Sequence, residues 1–207
     1  MTAARLVVLA SGGGRTVENF QDQILQGQLR ASIKLLIVSS PDLGVVERAK
    51  RLGLAYLVIG KSTHPDFQER QAALVEAIGG AQPDWIVMAG WLQLLPIPSH
   101  WEGKVLNIHP ALLPAYGGKG FYGHHVHEAV AKDLQVVSGC TVHFASAKYD
   151  EGPILLQEAV PLPADATPDQ IGSMVFEAEK RVYPEALQAL ICGRARWQDG
   201  KVIWAAD

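Results

Sequence analysis

Asn107 and His109 stand two residues apart in the run Val-Leu-Asn-Ile-His-Pro-Ala-Leu-Leu-Pro over residues 105–114. Side chains alternate along a strand, so an amide and an imidazole at this spacing share one face while Leu106 and Ile108 turn into packing. Pro110 and Pro114 stiffen the loop that follows. An amide N–H can stabilise a developing oxyanion and an imidazole titrates near neutrality, which together equip the pair for acyl or formyl transfer. Asn and His at a strand end also serve to satisfy loop backbone, and on these residues alone that alternative stands beside the catalytic one.

Three further stretches could join them. The turn Ser-Gly-Gly-Gly-Arg-Thr at 11–16 brings backbone N–H groups and a helix N-terminus to a place where an anion could sit, and Arg15 adds charge. It is neither the GxGxxG dinucleotide fingerprint nor a GxxxxGK[ST] loop, and a tight turn needing positive φ accounts for its glycines equally well. Asp150, in Lys-Tyr-Asp-Glu-Gly-Pro at 148–153, lies on a connection from which it can swing toward His109. A carboxylate there raises the imidazole pKa and helps hold its protonated form; a plain turn-forming role is the alternative. The apolar segment from Trp91 to Pro98 can line a pocket for a flat ligand, or Leu92, Leu94 and Leu95 can be helix core. His124, His125 and His127 suggest a metal, but no carboxylate or cysteine pattern accompanies them. No metal is expected, and loop anchoring by imidazole hydrogen bonds is the reading, with one histidine near the cleft.

The elements that must position these residues follow from periodicity. Apolar runs at 5–10, 32–38, 55–59 and 85–88 read as strands, and helical patterns fall at 17–29, 44–52 and 66–78. Such βα repeats build a parallel, doubly wound sheet with right-handed crossovers, and its ligands bind beyond the carboxyl ends of the strands. Residues 11–16, 90–95 and 107–110 are expected to gather there. A glycine-rich loop, expected to be mobile, follows over 115–123 before a helix at 127–132. Strands at 138–145 and 153–160 leave no room for a crossover helix and should pair antiparallel, with Cys140, Val142 and Phe144 on one face and Thr141 and His143 on the other. Thr167 caps a long helix that starts at Pro168 and runs toward Leu190; Glu177 and Glu179 lie off its apolar stripe and read as solvent-exposed. Asp199-Gly200 turns a terminal hairpin between 194–197 and 201–204. The fold class is α/β: a single doubly wound, mostly parallel sheet with helices on both faces and an antiparallel C-terminal extension, Rossmann-like.

With 207 residues, 48% hydrophobic and 19% charged, the chain reads as one soluble domain. A net charge of -3 offers no footprint for nucleic acid. The opening apolar run stops at Ser11 and is too short for a secretory or membrane-spanning segment, so no membrane partner and a cytoplasmic location are expected. Cys140 and Cys192 form no CxxC pattern and read as reduced, partly buried thiols.

Taken together, Leu-Ala-Ser-Gly-Gly-Gly at 9–14, Met-Ala-Gly-Trp-Leu-Gln-Leu-Leu at 88–95, Asn-Ile-His-Pro-Ala-Leu-Leu-Pro at 107–114, Ser-Gly-Cys-Thr-Val-His-Phe at 138–144, Asp-Glu-Gly-Pro-Ile-Leu-Leu-Gln at 150–157 and Glu-Lys-Arg-Val-Tyr-Pro at 179–184 resemble the glycinamide ribonucleotide formyltransferases. These belong to the folate-dependent formyltransferase superfamily. The resemblance implies formyl transfer from 10-formyltetrahydrofolate to the amino group of glycinamide ribonucleotide in purine biosynthesis, with no metal. It implies that Asn107, His109 and Asp150 are catalytic. It places the folate on Leu92, Gln93, Leu94, Leu95 and Asn107 and on Ser146, Ala147, Lys148, Tyr149 and Asp150. It places the ribonucleotide on Gly14, Arg15 and Thr16 and on Phe176, Glu177, Ala178 and Glu179, moving Glu179 from surface to site. The implied layout is a single formyltransferase domain over 1–207, with a nucleotide-phosphate half over about 1–100, a folate-binding and catalytic half over about 101–190 and the hairpin 194–204, as a monomer or homodimer. Three departures stand out: Gly13, Gly14, Arg15 and Thr16 replace an Asn-Gly-Ser-Asn turn, Gln93 replaces a common arginine, and the loop at 116–123 is longer and richer in glycine. A formyltetrahydrofolate hydrolase and a non-catalytic nucleotide-binding module are the competing readings.

Overall fold

In β1 (Ala4–Ala10) every position except Arg5 is buried, which is the mark of a strand covered on both faces, as a central parallel strand is. The computed structural model describes residues 2–205. After β1 come α1 (Arg15–Leu25), β2 (Ala31–Val38), α2 (Gly44–Leu52), β3 (Tyr56–Val58), α3 (Phe67–Ala81), β4 (Trp85–Met88) and β5 (Val105–His109). Then follow α4 (His124–Lys132), β6 (Val137–Phe144), β7 (Ile154–Pro161), α5 (Pro168–Ile191), β8 (Ala195–Gln198) and β9 (Lys201–Trp204). Seven strands hydrogen-bond in the order β3-β2-β1-β4-β5-β6-β7, and β8 and β9 pair separately. β1 runs parallel to β2 and β4, β2 parallel to β3, and β6 antiparallel to β7. The mostly parallel α/β sheet with an antiparallel end is the expected fold class.

The chain divides between Leu106 and Asn107 into two compact units. In the first, Leu6, Val7, Val8 and Leu9 are fully buried, as are Phe20 of α1, Val45 and Ala49 of α2, and Leu74 and Ile78 of α3. Each helix therefore gives the strands one apolar stripe, and emptying one such site, as in Phe20→Ala, costs about 3–5 kcal/mol. In the second unit Cys140, Val142 and Phe144 of β6 are fully buried with Val126 of α4 and Ala178, Tyr183 and Leu187 of α5. Thr141 and His143, on the opposite face of β6, are buried as well.

Several boundaries differ from the sequence pattern, each for a local reason. α1 stops at Leu25 because Gly27 takes φ 73 and turns the chain, so Leu29 plugs the core from a loop rather than extending the helical stripe. α3 continues past residue 78 through Gly79 and Gly80 and ends only where Gln82 adopts a left-handed conformation, its N–H returning to the Gly79 carbonyl. α4 starts at His124, so the three histidines belong to its first turn and not to the preceding loop. The N-terminus of α5 carries a full capping box between Thr167 and Gln170. In the hairpin, Asp199 and Gly200 both take positive φ, the geometry that a two-residue turn needs to match strand twist, and the Trp197 ring packs 4.8 Å from that of Phe144. Cys140 is buried but Cys192 is exposed, against the expectation of partial burial for both. Among the described residues no helix is long and apolar enough to cross a membrane.

Candidate active site

β5 presents Asn107 and His109 as the alternation requires, but its packing goes further: His109 is itself only 3% exposed. The loop after β5 is held by two polar side chains that face each other across β6 and β7, Thr141 and Gln157. Thr141 Oγ1 donates to the Ala111 carbonyl at 2.6 Å and accepts from the Leu113 amide at 3.0 Å. Gln157 Nε2 donates to the Leu113 carbonyl and to Thr141 Oγ1 at 3.0 and 2.8 Å. Buried loop backbone is costly unless paired, so these bonds fix the chain immediately beyond His109.

Asp150 arrives from the β6–β7 connection. The Ser146 hydroxyl tightens that connection by bonding both the amide and the carbonyl of Lys148, and Asp150 itself sits at φ 57. Its carboxylate meets four groups. Oδ2 accepts from the Gly118 amide at 2.9 Å and lies 3.5 Å from His109 Nδ1. Oδ1 lies 3.4 Å from Asn107 Nδ2 and 3.5 Å from His143 Nε2. The second nitrogen of His109, Nε2, is 2.7 Å from the Tyr116 carbonyl.

Proton positions follow from what each partner can do. A carbonyl only accepts, so His143 Nδ1, 3.0 Å from the Phe144 carbonyl, carries a hydrogen, while Nε2 stands 3.1 Å from Asn107 Nδ2 and 3.5 Å from Asp150 Oδ1. Asn107 Nδ2, His143 Nε2 and Asp150 Oδ1 thus form a nearly equilateral triangle with sides of 3.1, 3.4 and 3.5 Å. The Asn107 NH2 group therefore faces both His143 Nε2 and Asp150 Oδ1. Turning the amide over would set its oxygen against the carboxylate, which fixes its orientation.

Burial pushes the His109 pKa down from 6.5; the charge of Asp150 and the Tyr116 carbonyl pull it up, His143 pushes it further down, and the net direction is down. Asp150 acts on the imidazole in the expected direction, raising its pKa, and desolvation opposes it with the larger effect. For Asp150, burial works to raise the pKa, and the bond with His143, the charge of His109 and the Gly118 amide together bring it below 3.8. Burial pushes the Cys140 thiol up to about 12, which keeps it protonated and removes it as a nucleophile.

In the first unit, Ser11 links the glycine turn to the segment after β4. Its amide donates to the Gly90 carbonyl at 3.0 Å, and its hydroxyl accepts from the Leu92 amide at 3.2 Å. Gly14 takes φ 81 as the N-cap of α1 with no side-chain cap, and a Cβ there would meet Val45 at 2.6 Å, so only glycine fits. Arg15 is exposed and Thr16 half-buried. Residues 92–95 form no helix; Leu92 and Leu94 are exposed, Gln93 is half-buried and Leu95 is buried, which rules out the helix-core reading. The Leu94 carbonyl accepts from Gln71 Nε2 at 3.1 Å.

On α5, Ala178 is buried, Phe176 and Glu179 are half-buried, and Glu177 is exposed and paired with Lys180 at 2.5 Å. Ala147, Lys148 and Tyr149 are exposed on the Asp150 connection. His124 and His125 are exposed beside Glu128, while His127 is buried against Gly172. No group of three or more His, Cys, Asp or Glu among the described residues could hold a metal ion. The pattern of residue types did not single out His143 or Tyr116. A polar stripe on a strand otherwise buried was the available signal for His143; a backbone carbonyl leaves none.

A family model described as formyl transferase matches residues 4–187. The chloroplastic phosphoribosylglycinamide formyltransferase of Arabidopsis thaliana is 35% identical over 201 residues, which is 96% of this chain and 69% of that protein. The phosphoribosylglycinamide formyltransferase of Escherichia coli K12 is 30% identical over 214 residues, covering 98% of this chain and 99% of that one. The solved glycinamide ribonucleotide transformylase 1 of Symbiobacterium toebii superposes with a TM-score of 0.90 at 31% identity, over 99% of this chain and 95% of that one.

Proposed function

The chain belongs to the formyl transferase family, and from that membership we propose that it transfers the formyl group of 10-formyltetrahydrofolate to the amino group of glycinamide ribonucleotide in purine biosynthesis, in the cytosol. The observation that carries the reading is the Asp150 carboxylate, which has Asn107 at 3.4 Å on one oxygen and His109 at 3.5 Å on the other.

In the reaction the neutral amine attacks the formyl carbon, negative charge develops on the formyl oxygen, and the bond from carbon to the folate nitrogen breaks as that nitrogen gains a proton. The side-chain amide of Asn107 donates to the developing oxyanion. His109 supplies the second donor through Nε2 once the Tyr116 carbonyl has moved away. Preorganised donors of this kind stabilise the transition state by roughly 3 kcal/mol each. Asp150 orients His109 and favours its charged form, and the proton passes from the attacking amine to the leaving nitrogen through these groups. No covalent intermediate is required.

The glycine turn with Gly14, Arg15 and Thr16 takes the phosphate, and Phe176, Glu177, Ala178 and Glu179 take the ribose side. The backbone of Leu92, Gln93, Leu94 and Leu95, with Ser146, Ala147, Lys148 and Tyr149, takes the folate. An assay of folate release with and without glycinamide ribonucleotide tests this. Release that depends on the ribonucleotide is expected; equal release without it makes the protein a hydrolase, and none under either condition sinks the enzymatic reading.

A further inference from the structure

Arg48 lies on α2, outside every residue group considered above, yet its guanidinium reaches the glycine turn. Nη1 donates to the Gly13 carbonyl at 2.5 Å, and Nε donates to Glu18 Oε2 at 2.9 Å. Glu18 also holds Arg51 through its other oxygen. The backbone of α2 makes a parallel contact, since the Val45 amide donates to the Gly12 carbonyl at 3.2 Å.

The consequence follows from the planar trans peptide, in which C=O and N–H point in opposite directions. Pinning the Gly12 carbonyl to Val45 aims the Gly13 N–H away from α2. Pinning the Gly13 carbonyl to Arg48 aims the Gly14 N–H the same way. The Gly14 carbonyl is taken by the Glu18 amide at 3.0 Å, inside the first turn of α1, so the Arg15 N–H faces back toward the turn. The Gly13 and Gly14 amides are thereby turned to the side away from α2, the Arg15 amide follows at the N-terminus of α1, and two of the three carbonyls that set them are held from α2. Successive N–H groups arranged in this way complement a phosphate dianion.

We propose that Arg48 is a positioning residue for the ribonucleotide phosphate: by clamping the Gly13 carbonyl it orients the Gly14 amide of the turn, with Glu18 fixing the guanidinium in place. This rests on the turn being the phosphate subsite. It deepens that reading, because the orienting charge comes from α2 and not from Arg15 alone.

Steady-state kinetics of the intact protein test it, with inorganic phosphate as a competing ligand against the ribonucleotide. Arg48→Ala is expected to raise KM for glycinamide ribonucleotide and Ki for phosphate at least tenfold, with kcat and KM for formyl folate within about twofold of wild type. Arg48→Lys keeps one donor for the Gly13 carbonyl and is expected to recover most of the loss, which also serves if the alanine variant folds poorly. Arg51→Ala, which removes a contact to Glu18 alone, is expected to leave all four constants unchanged. Unaltered ribonucleotide KM in both Arg48 variants, beside normal wild-type turnover, overturns the inference and leaves the formyl-transfer reading intact. Equal losses in both substrates' KM and in kcat overturn it in favour of a general structural role. Absence of ribonucleotide-dependent turnover in the wild type overturns both.

Discussion

The Nε2 of His109 lies 2.7 Å from the backbone carbonyl of Tyr116. A carbonyl cannot donate, so the imidazole must carry a hydrogen on Nε2, and its other nitrogen faces the Asp150 carboxylate 3.5 Å away. The nitrogen assigned to substrate is thus engaged by the loop. 15N NMR of the free protein at neutral pH is expected to show a protonated Nε2 on His109. The reverse tautomer would contradict the geometry.

Replacing Asp150 by Asn separates the charge of this carboxylate from its shape. Asp150 pulls the His109 pKa upward against burial, so in Asp150→Asn the imidazole should titrate still further below 6.5. Turnover is expected to fall by about 10²–10⁴-fold, with binding of both substrates retained. NMR titration and single-turnover kinetics give the two readouts, and wild-type activity at neutral pH would remove Asp150 from the mechanism.

Acid should loosen the fold through the same residues. The unfolded chain protonates its histidine near 6.5, whereas folded His109 resists protonation, so the unfolded state binds more protons as pH falls below 6.5 and stability drops. Asp150 adds a second loss: its folded pKa lies below 3.8, so the stability it contributes is present above 3.8 and disappears as pH falls through the folded value. Urea denaturation at pH 7, 5.5 and 4 is expected to show a decreasing midpoint, and His109→Gln should flatten the upper part of that dependence.

Gly152, two residues beyond Asp150, admits no side chain. A Cβ there would stand 1.7 Å from the Phe144 carbonyl oxygen and 2.8 Å from its carbon, and backbone cannot give way as a flexible side chain can. Gly152→Ala should cost about 3 kcal/mol or more, with a matching fall in thermal midpoint, and should move the Asp150 connection so that activity falls beyond the loss of folded protein. A stable, fully active variant would mean that the connection is held elsewhere.

Much of the scaffold is written in local patterns. Consecutive apolar residues at Leu6, Val7, Val8 and Leu9 can be covered only by helices on both faces; Thr167 with Gln170 caps α5, and Asp199-Gly200 turns the hairpin. The spacing of Asn107 and His109 gave their common face, and the turn residues around Asp150 its place on a connection. What local patterns do not encode is the approach of distant groups. The orientation that His143 and Asp150 impose on the Asn107 amide, and the excess of burial over the Asp150 charge at His109, depend on chain segments far apart in sequence, and the Tyr116 carbonyl reaches His109 only through the path of the intervening loop. The start of α4 is hidden because Gly123 and the histidines at 124, 125 and 127 are poor helix formers, and the helix starts there all the same.

Asp150 sits at φ 57, where side chains other than those of Asn and Asp are rarely found and Gly is at ease. Two unrelated filters therefore act on one position. Backbone geometry favours Asp, Asn and Gly; the pairing with His109 and His143 calls for a carboxylate, which Asp and Glu alone possess. Aspartate suits both best. In a library randomised at this codon, asparagine and glycine would fold but turn over slowly, glutamate would carry the charge on a longer stem and at a cost in backbone strain, and selection for turnover would return aspartate.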